Sequence, residues 1–374
     1  MKRVLSYLIV CACAFGCVYP YTPDTDEPMI MDSVPVFEGN ITVGDKATLH
    51  YTTLIPLNSE KLSSRWIIPD FPWWVEDNDG NRYLPVTESP GEVSLAGTSE
   101  DKEYRIHAEY KGNVYESAWL KTNNKPTITG VSFNMVDEFL SLEVSALDAE
   151  DGSGYMAFSF TEAYEFHSEY IADYYVDTLK WKVLPLEGPS SYRYWCWKTV
   201  DYPNEQVADA SRTGGVVKNF ALRQISRSGP ECHRTIVVEV KARSISEDEY
   251  KYKTNVDNSL QPGNNLFTPN PGELPGNISC ISDRGRKALG YITISSCATL
   301  KRVFDTSLVR LAPKSETPLI IPEKADYRSL YFDYKYRPIM DVVVEGVFGV
   351  GWGHLRCVDC VAAGGTQTPP ALLN

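Results

Sequence analysis

Apolar and polar side chains alternate along most of the chain from Val34 onward. The alternation is clear over residues 47–52, 104–110, 140–146 and 236–242. A period of two is the pattern of a β-strand with one buried and one solvated face. The sequence therefore predicts a mostly β protein.

Turn and linker signals divide the predicted strands into two folded units. Residues 34–124 hold several strand-length segments and a hairpin that turns at Gly112-Asn113, and this length is typical of an immunoglobulin-like β-sandwich. The stretch 123–126 (Asn-Asn-Lys-Pro) is the expected boundary. Residues 125–356 are expected to form a larger β-rich domain, and residues 357–374 a Cys-x-x-Cys motif and a tail that is mobile or pinned only at its start.

One short helix interrupts the predicted strands of the second domain. Ser246-Glu247-Asp248-Glu249 matches a capping box, which places the helix start at Ser246. Proline cannot continue a helix, so the helix is expected to end before Pro262.

Residues 1–16 predict a secretory signal peptide. Lys2 and Arg3 precede an almost wholly apolar run over 4–15. That run is shorter than the roughly 20 residues a spanning helix needs. We therefore expect this segment to be removed from the mature protein.

Cys17 follows Ala14-Phe15-Gly16, a sequence that resembles a bacterial lipobox. We expect the peptidase to cut before Cys17 after its thiol is acylated, which leaves the mature protein lipid-anchored. The alternative is ordinary cleavage near Gly16 with a free thiol at Cys17. Residues 17–33 are rich in Pro and Asp, which predicts an extended tether.

The net charge of the chain argues against nucleic acid as a partner. The chain carries 36 basic and 49 acidic side chains, a formal net charge of -13. Such a surface repels phosphate backbones, and no basic stripe interrupts it, so nucleic-acid binding is not expected. Membrane contact is expected through the lipid anchor alone.

Nine cysteines occur, of which Cys11 and Cys13 leave with the signal peptide and Cys17 takes lipid. The six that remain are an even number in an oxidising compartment, so they are disulfide candidates: Cys196, Cys232, Cys280, Cys297, Cys357 and Cys360.

Several pairings stay open at this stage. Cys357 and Cys360 would form a tight local disulfide or two half-bridges that pin the tail, since their surroundings suit neither a redox pair nor zinc. Cys280 and Cys297 flank a predicted hairpin, where a cross-hairpin bridge fits. Cys196 with Cys232 remains by elimination.

Aromatic side chains concentrate in residues 155–197, where they make up roughly 30% of the segment against 12% of the chain. Most are expected to be core residues and cross-strand pairs. Adjacent aromatic residues on a strand point to opposite faces, so some members of such pairs should be exposed and bind a sugar, a peptide or a protein. The binding candidates are Tyr174, Tyr175, Tyr194, Trp195, Trp73 and Trp74.

The sequence contains no recognisable catalytic signature. It lacks Gly-x-Ser-x-Gly, His-Glu-x-x-His and P-loop motifs, and no histidine has a partner at metal-ligand spacing. His107 falls on the polar face of its strand and is expected to be solvated. His167 has a general base's chemistry but no nucleophile near it in sequence. Neither an enzyme nor a metal or cofactor site is expected.

Short motifs occur in a characteristic order along the mature chain. They are Cys196-Trp197, the helix start at 244–252, Leu266-Phe267, Gly276-Asn277-Ile278, Leu289-Gly290-Tyr291, and Cys357-Val358-Asp359-Cys360 followed by Gly364-Gly365-Thr366. Behind a lipobox, this order resembles the Bacteroidota outer-membrane lipoproteins grouped as domain-of-unknown-function family 4249. Acidic residues Asp24, Asp26 and Glu27 also resemble the surface-export signals of such lipoproteins.

The resemblance implies an accessory lipoprotein of a TonB-dependent outer-membrane receptor. We expect the protein to be anchored in the outer membrane and exposed at the cell surface; the alternative is that it is anchored on the periplasmic side of that membrane. It supplies no catalytic residues. We therefore expect a non-catalytic binding component of an uptake complex, with peptide, glycan or other small cargo. A structural envelope lipoprotein without a ligand and a secreted hydrolase with an unrecognised site are the competing hypotheses.

Overall fold

A computed structural model describes residues 34–53, 67–86, 89–122, 125–150, 152–188, 192–260, 276–312, 318–321, 326–344 and 346–373. The predicted signal peptide, Cys17 and the tether lie outside these residues, as do Asn123 and Asn124 at the predicted domain boundary. No helix within the described ranges is long and apolar enough to cross a membrane.

The described residues are mostly β, as the alternation predicts. The strands are β1 Pro35–Thr42, β2 Lys46–Thr53, β3 Trp73–Asp77, β4 Arg82–Tyr83, β5 Pro85–Val86, β6 Ser89–Ser94, β7 Glu103–Tyr110, β8 Asn113–Ser117, β9 Leu120–Lys121, β10 Thr127–Val136, β11 Phe139–Leu147, β12 Tyr155–His167, β13 Tyr174–Asp177, β14 Lys182–Pro185, β15 Trp195–Asp209, β16 Val216–Ser226, β17 Thr235–Ile245, β18 Ile278–Cys280, β19 Ile292–Ser295, β20 Ala298–Asp305, β21 Leu319–Ile320, β22 Tyr336–Val344 and β23 Val347–His354. The helices are α1 Glu247–Leu260 and α2 Tyr327–Phe332.

The first sandwich contains two sheets, ordered β19-β1-β2-β6-β5 and β18-β8-β7-β3-β4. Alternate residues of both sheets meet in one core that includes Phe37, Leu49, Val75, Ile106 and Tyr115. The two-sheet arrangement is the one expected for residues 34–124, while its immunoglobulin-like character stays a prediction.

Residues 276–295 return to this first sandwich, although the predicted boundaries place them in the second domain. β19 pairs in parallel with β1, and β18 pairs with β8 at the edge of the other sheet. Gly290 lets the chain cross β1 closely: its φ is +99°, and a Cβ atom there would lie 1.9 Å from the carbonyl oxygen of Phe37. Only glycine fits that position.

The second sandwich packs sheet β15-β12-β17-β20 against sheet β10-β11-β16. In β12 the even-numbered residues Met156, Phe158, Phe160 and Tyr164 point into the core between the sheets. Odd-numbered residues of the same strand therefore face the opposite side, towards the first sandwich.

Helix α1 begins where its capping box predicts. The backbone N–H of Glu249 donates to Oγ of Ser246 at 3.1 Å, which satisfies one of the free donors of the first turn. The Glu249 carboxylate binds Arg243 instead of reaching back to Ser246. The helix ends at Leu260, before Pro262, as expected. Helix α2 is a second, unpredicted helix, whose start is capped by Asp326.

A third layer, here called the hairpin layer, consists of residues 170–186, 319–321, 326–344 and 346–358. It contains the hairpins β13-β14 and β22-β23, strand β21 and helix α2. A small core of Ala172, Ile339 and Val358 joins these elements.

The tail docks along β15, contrary to the expectation that it is mobile or pinned only at its start. Thr366 and Trp197 exchange two backbone hydrogen bonds of 2.8 and 2.7 Å. Nε2 of Gln367 donates to the Trp195 carbonyl at 2.7 Å, and Nζ of Lys301 donates to the Leu372 carbonyl at 3.1 Å.

The disulfide that forms joins Cys196 on β15 to Cys360 in the tail, 164 residues apart. Of the two alternatives for Cys360, the structure therefore shows a bond to a distant cysteine that holds the tail in place, and not a local disulfide with Cys357. The expected pairing of Cys196 with Cys232 is wrong. Cys232 is a buried thiol that lies 3.6 Å from the Ser226 carbonyl, and burial raises the pKa of this thiol to about 11.

The expected bridge between Cys280 and Cys297 is also wrong. β18 and β19 do not form a hairpin, because β18 joins one sheet of the first sandwich and β19 joins the other. Cys280 therefore packs as a thiol in the core between the sheets. Cys297 lies in the connection to β20, where its Sγ contacts Oγ of Ser295 at 3.6 Å.

Candidate functional site

The predicted aromatic segment divides between the core and the surface. Phe158, Phe160, Tyr164 and Phe166 are buried in the second sandwich, as expected for most members of the segment. Of the remaining aromatic candidates in this segment, Tyr174 and Tyr175 lie on β13, and Tyr194 and Trp195 lie at the start of β15.

Tyr174 and Tyr175 begin the hairpin β13-β14. Tyr174 is half-buried, and its hydroxyl donates to Oδ1 of Asp341 on β22 at 2.9 Å. That hydrogen bond raises the pKa of Tyr174 and joins the two hairpins of the layer. Tyr175 is exposed on the opposite face.

Tyr194 and Trp195 surround His167 at the end of β12. The Tyr194 ring stacks on the imidazole with the centroids 4.9 Å apart, and the Trp195 ring meets it edge-on at 5.0 Å. His233 stacks on His167 at 4.0 Å. Trp195 keeps an exposed face, and the guanidinium of Arg234 lies 5.7 Å from its centroid.

The hydrogen bonds of His167 leave neither ring nitrogen available for base catalysis. Nη1 of Arg310 lies 3.0 Å from Nε2, and because a guanidinium only donates, Nε2 accepts. Nδ1 then donates to the Ser168 carbonyl at 2.7 Å. Burial, together with Arg310, holds the pKa of His167 below its ordinary value, so the ring is a neutral structural element.

Trp73 and Trp74 lie far from that segment, on β3. Trp73 is buried in the first core, and its Nε1 donates to the Pro90 carbonyl at 2.7 Å. It is therefore not available to a partner, which corrects its selection as a binding candidate. Trp74 lies on the outer face, where its ring stacks on the His107 ring with the centroids 4.8 Å apart. The guanidinium of Arg82 lies over the Trp74 ring, 5.0 Å from its centroid.

His107 is buried beneath Trp74, and the expectation that it is solvated is wrong. Its Nδ1 lies 3.1 Å from Glu116 Oε1, and its Nε2 bonds Glu76. Arg105 binds both carboxylates. Glu116 lies directly opposite His107 in the neighbouring strand. The partners of His107 thus come from neighbouring strands, and the alternation within β7 alone could not predict them.

The hairpin layer presents many large apolar side chains to solvent. Leu179 at the β13-β14 turn is 92% exposed, and Phe348 near the tip of β22-β23 is 70% exposed. The exposed apolar residues of this layer are Ile171, Tyr175, Leu179, Leu319, Phe332, Tyr334, Val343, Val347 and Phe348. Isolated exposed apolar residues are ordinary, but a concentration of them in one layer is typical of an interaction surface.

A cleft of about 1080 Å³ separates the two sandwiches. β1 and β2 form one wall, the outward faces of β12, β15 and β17 form the other, and residues of α1 line it too. Tyr252 of α1 packs against Tyr291 beside β19, with the ring centroids 4.9 Å apart. The sequence prediction missed this cleft.

Charged side chains of both signs line the cleft. The acidic residues in the described part are Glu38, Asp45, Asp201, Glu205 and Glu239. The basic residues there are Lys46, Lys125, Lys241, Arg243 and Lys253. The acidic and basic side chains of the lining are equal in number, so the cleft is not suited to a polyanion.

Arg243 is the most deeply buried charge of the cleft, with 3% of its side chain exposed. Nε and Nη2 bind the Glu205 carboxylate, and Nη2 also binds Glu249 of α1. Burial works to raise the pKa of Glu205, but Arg243 and Lys253 outweigh it and lower that pKa to about 2. The result is a fixed ionic network.

Nη1 of Arg243 has no hydrogen-bond partner among the described residues. A buried donor without an acceptor costs about 1–3 kcal/mol, and more when it is charged.

Comparison with known proteins identifies the family of this chain. Residues 18–301 match the family model described as "Domain of unknown function (DUF4249)". The match covers nearly all of both sandwiches. No curated protein matches the chain.

Proposed function

The chain belongs to the family of domain of unknown function DUF4249, and we propose that it acts as a non-catalytic, lipid-anchored binding component of a TonB-dependent uptake complex in the outer membrane. In this proposal Cys17 carries the lipid and residues 18–33 form the tether. The hairpin layer contacts the receptor. The assignment of the partner rests on the family resemblance described above.

The exposed apolar side chains of the hairpin layer are the observation that carries the proposal. Trp181 contacts Phe332 of α2 at 5.8 Å between centroids, so the turn of the first hairpin lies beside the helix. Tyr174 and Asp341 link the first hairpin to the second. The apolar residues are thus mounted on connected elements, and a rigid surface loses little entropy when it binds.

Receptor co-purification tests the partner. The protein is to be isolated from native outer membranes in mild detergent, and a TonB-dependent β-barrel protein is expected to accompany it. The variant carrying Leu179→Ser and Phe348→Ser should recover at least tenfold less barrel protein, because truncation of interface anchors costs about 2 kcal/mol or more.

Leu308→Ser is the matched control. Leu308 is 88% exposed, close to the exposure of Leu179, but it lies in the second sandwich. Its recovery of barrel protein should equal that of the wild type. A wild-type protein that elutes as a clean monomer, or a control that loses the barrel equally, would contradict the proposal.

Lipidation at Cys17 is a separate prediction. Metabolic labelling with an alkyne fatty acid is expected to mark the wild type, whereas Cys17→Ala should abolish the label and leave an uncleaved precursor. Both follow because the thiol is the acyl acceptor and acylation precedes cleavage. Labelling that persists in Cys17→Ala would show that the anchor lies elsewhere.

A further inference from the structure

We infer that the end of the first sandwich where the tether joins the fold rests on the anionic headgroups of the membrane that carries the anchor. This end, here called the tether face, consists of residues 35–37, 67–72, 109–114 and 281–289. The inference rests on the proposed lipid anchor at Cys17, and it adds a second membrane contact that the folded domain itself makes. The residues of this face are not those of the hairpin layer.

Two connections between the sheets cross this end of the sandwich. The first leads from β2 to β3, and its Ile67 exchanges backbone hydrogen bonds of 2.8 and 3.0 Å with Tyr51 of β2. The second leads from β18 to β19. The N–H of its Leu289 donates to the Pro35 carbonyl at 2.9 Å, and the Leu289 carbonyl accepts from the N–H of Phe37 at 2.9 Å. Because each connection joins one sheet to the other, both pass over the end of the core where β1 starts.

The ring of Phe71 shows that the parts of the tether face lie side by side. Its centroid lies 4.9 Å from that of Tyr51, 5.2 Å from that of Tyr110 and 6.1 Å from that of Phe37. Tyr110 leads into the β7-β8 turn, and Phe37 belongs to the first turns of chain after the tether. The point where the tether joins the fold therefore lies beside the first connection and the β7-β8 turn.

Both connections expose isoleucine side chains. Ile67 and Ile68 of the first connection and Ile281 of the second are each about half exposed. The backbone N–H of Ile281 donates to the Val114 carbonyl at 2.9 Å, which places this residue beside the β7-β8 turn. Branched apolar side chains at the end of a sandwich gain free energy when they leave water. They are therefore suited to the boundary between headgroups and acyl chains.

The tether face carries a different charge from the rest of the chain. The whole chain has a formal net charge of -13. The described residues of the tether face hold four exposed cations and three anions, which are Lys111, Arg284, Arg286, Lys287, Asp70, Glu109 and Asp283. Anionic headgroups attract exposed Lys and Arg side chains. The same headgroups repel the acidic remainder of the surface, so the charge favours this face over others.

The anchor selects a bilayer as the occupant of the tether face. Exposed apolar side chains among cations are typical of a surface that lies on a membrane. In the proposed function, residues 18–33 join the lipid at Cys17 to this end of the sandwich. The tether thus holds the face near the bilayer at a high effective concentration. Contacts too weak to recruit a free protein are then sufficient to keep this face docked.

Chemical labelling of lysine tests the inference. The full-length mature protein is to be inserted through its acyl chains into vesicles of equimolar phosphatidylcholine and phosphatidylglycerol, and acetic anhydride, a neutral reagent, then labels the exposed amines. Lys111 and Lys287 should react at least about fivefold more slowly on these vesicles than in mild detergent, because the bilayer covers them. Lys218 is exposed on β16 of the second sandwich, and it should react equally in both.

Two double variants of the tether face should return Lys111 to the reactivity that it has in detergent. Ile68→Ser with Ile281→Ser removes apolar contacts from both connections. Arg284→Glu with Arg286→Glu reverses the charge of the second connection. All four positions are exposed, so the fold should tolerate these changes, and either variant alone is informative.

Matched double variants of the second sandwich are the controls. Met135→Ser with Val303→Ser removes two apolar side chains of similar exposure. Arg212→Glu with Arg302→Glu makes the same change of charge at exposed positions. Both controls should keep the slow labelling of the wild type.

Three results would overturn the inference. Lys111 and Lys287 could react as fast on the vesicles as in detergent, the controls could lose the protection as the tether-face variants do, or the protection could require an added barrel protein, which would make this face a receptor contact. The intact mass of the same preparation reports acylation of Cys17 separately. An acylated chain whose tether face stays reactive refutes this contact and leaves the proposed anchor in place, whereas a chain without acyl groups refutes both.

Discussion

Replacement of Cys360 by Ala is expected to lower the free energy of unfolding by about 5 kcal/mol. The Cys196–Cys360 disulfide closes a loop of 164 residues, and closing so long a loop removes much entropy from the unfolded chain. The bond also holds the tail, in which Gly365 packs against Cys196 and Phe166. Guanidinium unfolding of the variant and the wild type, both without reductant, measures the difference.

Cys297→Ala is the control for this prediction. Its thiol is free and half-buried and lies 3.6 Å from Oγ of Ser295, so a change below about 1 kcal/mol is expected. Peptide mapping without reductant should find Cys196 and Cys360 protected from alkylation, and Cys232, Cys280 and Cys297 reactive after denaturation. Equal stability of Cys360→Ala and the wild type would contradict the prediction.

Features encoded by neighbouring residues could be predicted from the sequence. The alternation over 236–242 becomes β17, because each strand must turn its apolar side chains to one core. The capping box at Ser246 fixes the start of α1, because it acts within a single turn of helix. The turn before β8 lies one residue earlier than predicted, because Lys111 and Gly112 adopt positive φ and Asn113 already pairs with Tyr110.

Features that depend on distant residues could not be predicted. The parallel pairing of β1 with β19 joins residues about 250 positions apart, and no local pattern records it. β18 and β19 join different sheets of the first sandwich. Cys280 and Cys297 therefore do not flank a hairpin, and no cross-hairpin disulfide forms. Disulfide connectivity depends on such packing, which is why six cysteines left several pairings open.

The cleft was missed for a different physical reason. The polar faces of β2 and β12 have the same alternation as strands that face bulk water. A sequence pattern distinguishes buried from exposed side chains, but it cannot tell a face exposed to bulk solvent from a face that lines a cleft between two sheets. Arg243 also occupies a polar position in its strand, and its burial depends on Glu205 and on α1.

Glu162 is a second buried charge, on the core face of β12. Its side chain is fully buried, and its Oε2 binds Nη1 of Arg223, which reaches across from β16. Nη2 of Arg223 binds Glu231 at 2.7 Å. Burial raises the pKa of Glu162 from 4.5 to about 7, although Arg223 opposes that shift.

The raised pKa predicts that Glu162 destabilises the fold as the pH rises. Between pH 4.5 and about 7 the folded protein binds this proton while the unfolded chain releases it, so the stability contributed by Glu162 falls through that window. Glu162→Gln keeps the neutral form at every pH. Relative to the wild type, the variant should therefore gain on the order of 2–3 kcal/mol between pH 5 and pH 8. Urea unfolding at both pH values measures this gain. Glu138→Gln is the control, because Glu138 is exposed. If the free energy of unfolding of Glu162→Gln differs from that of the wild type by the same amount at both pH values, the prediction is wrong.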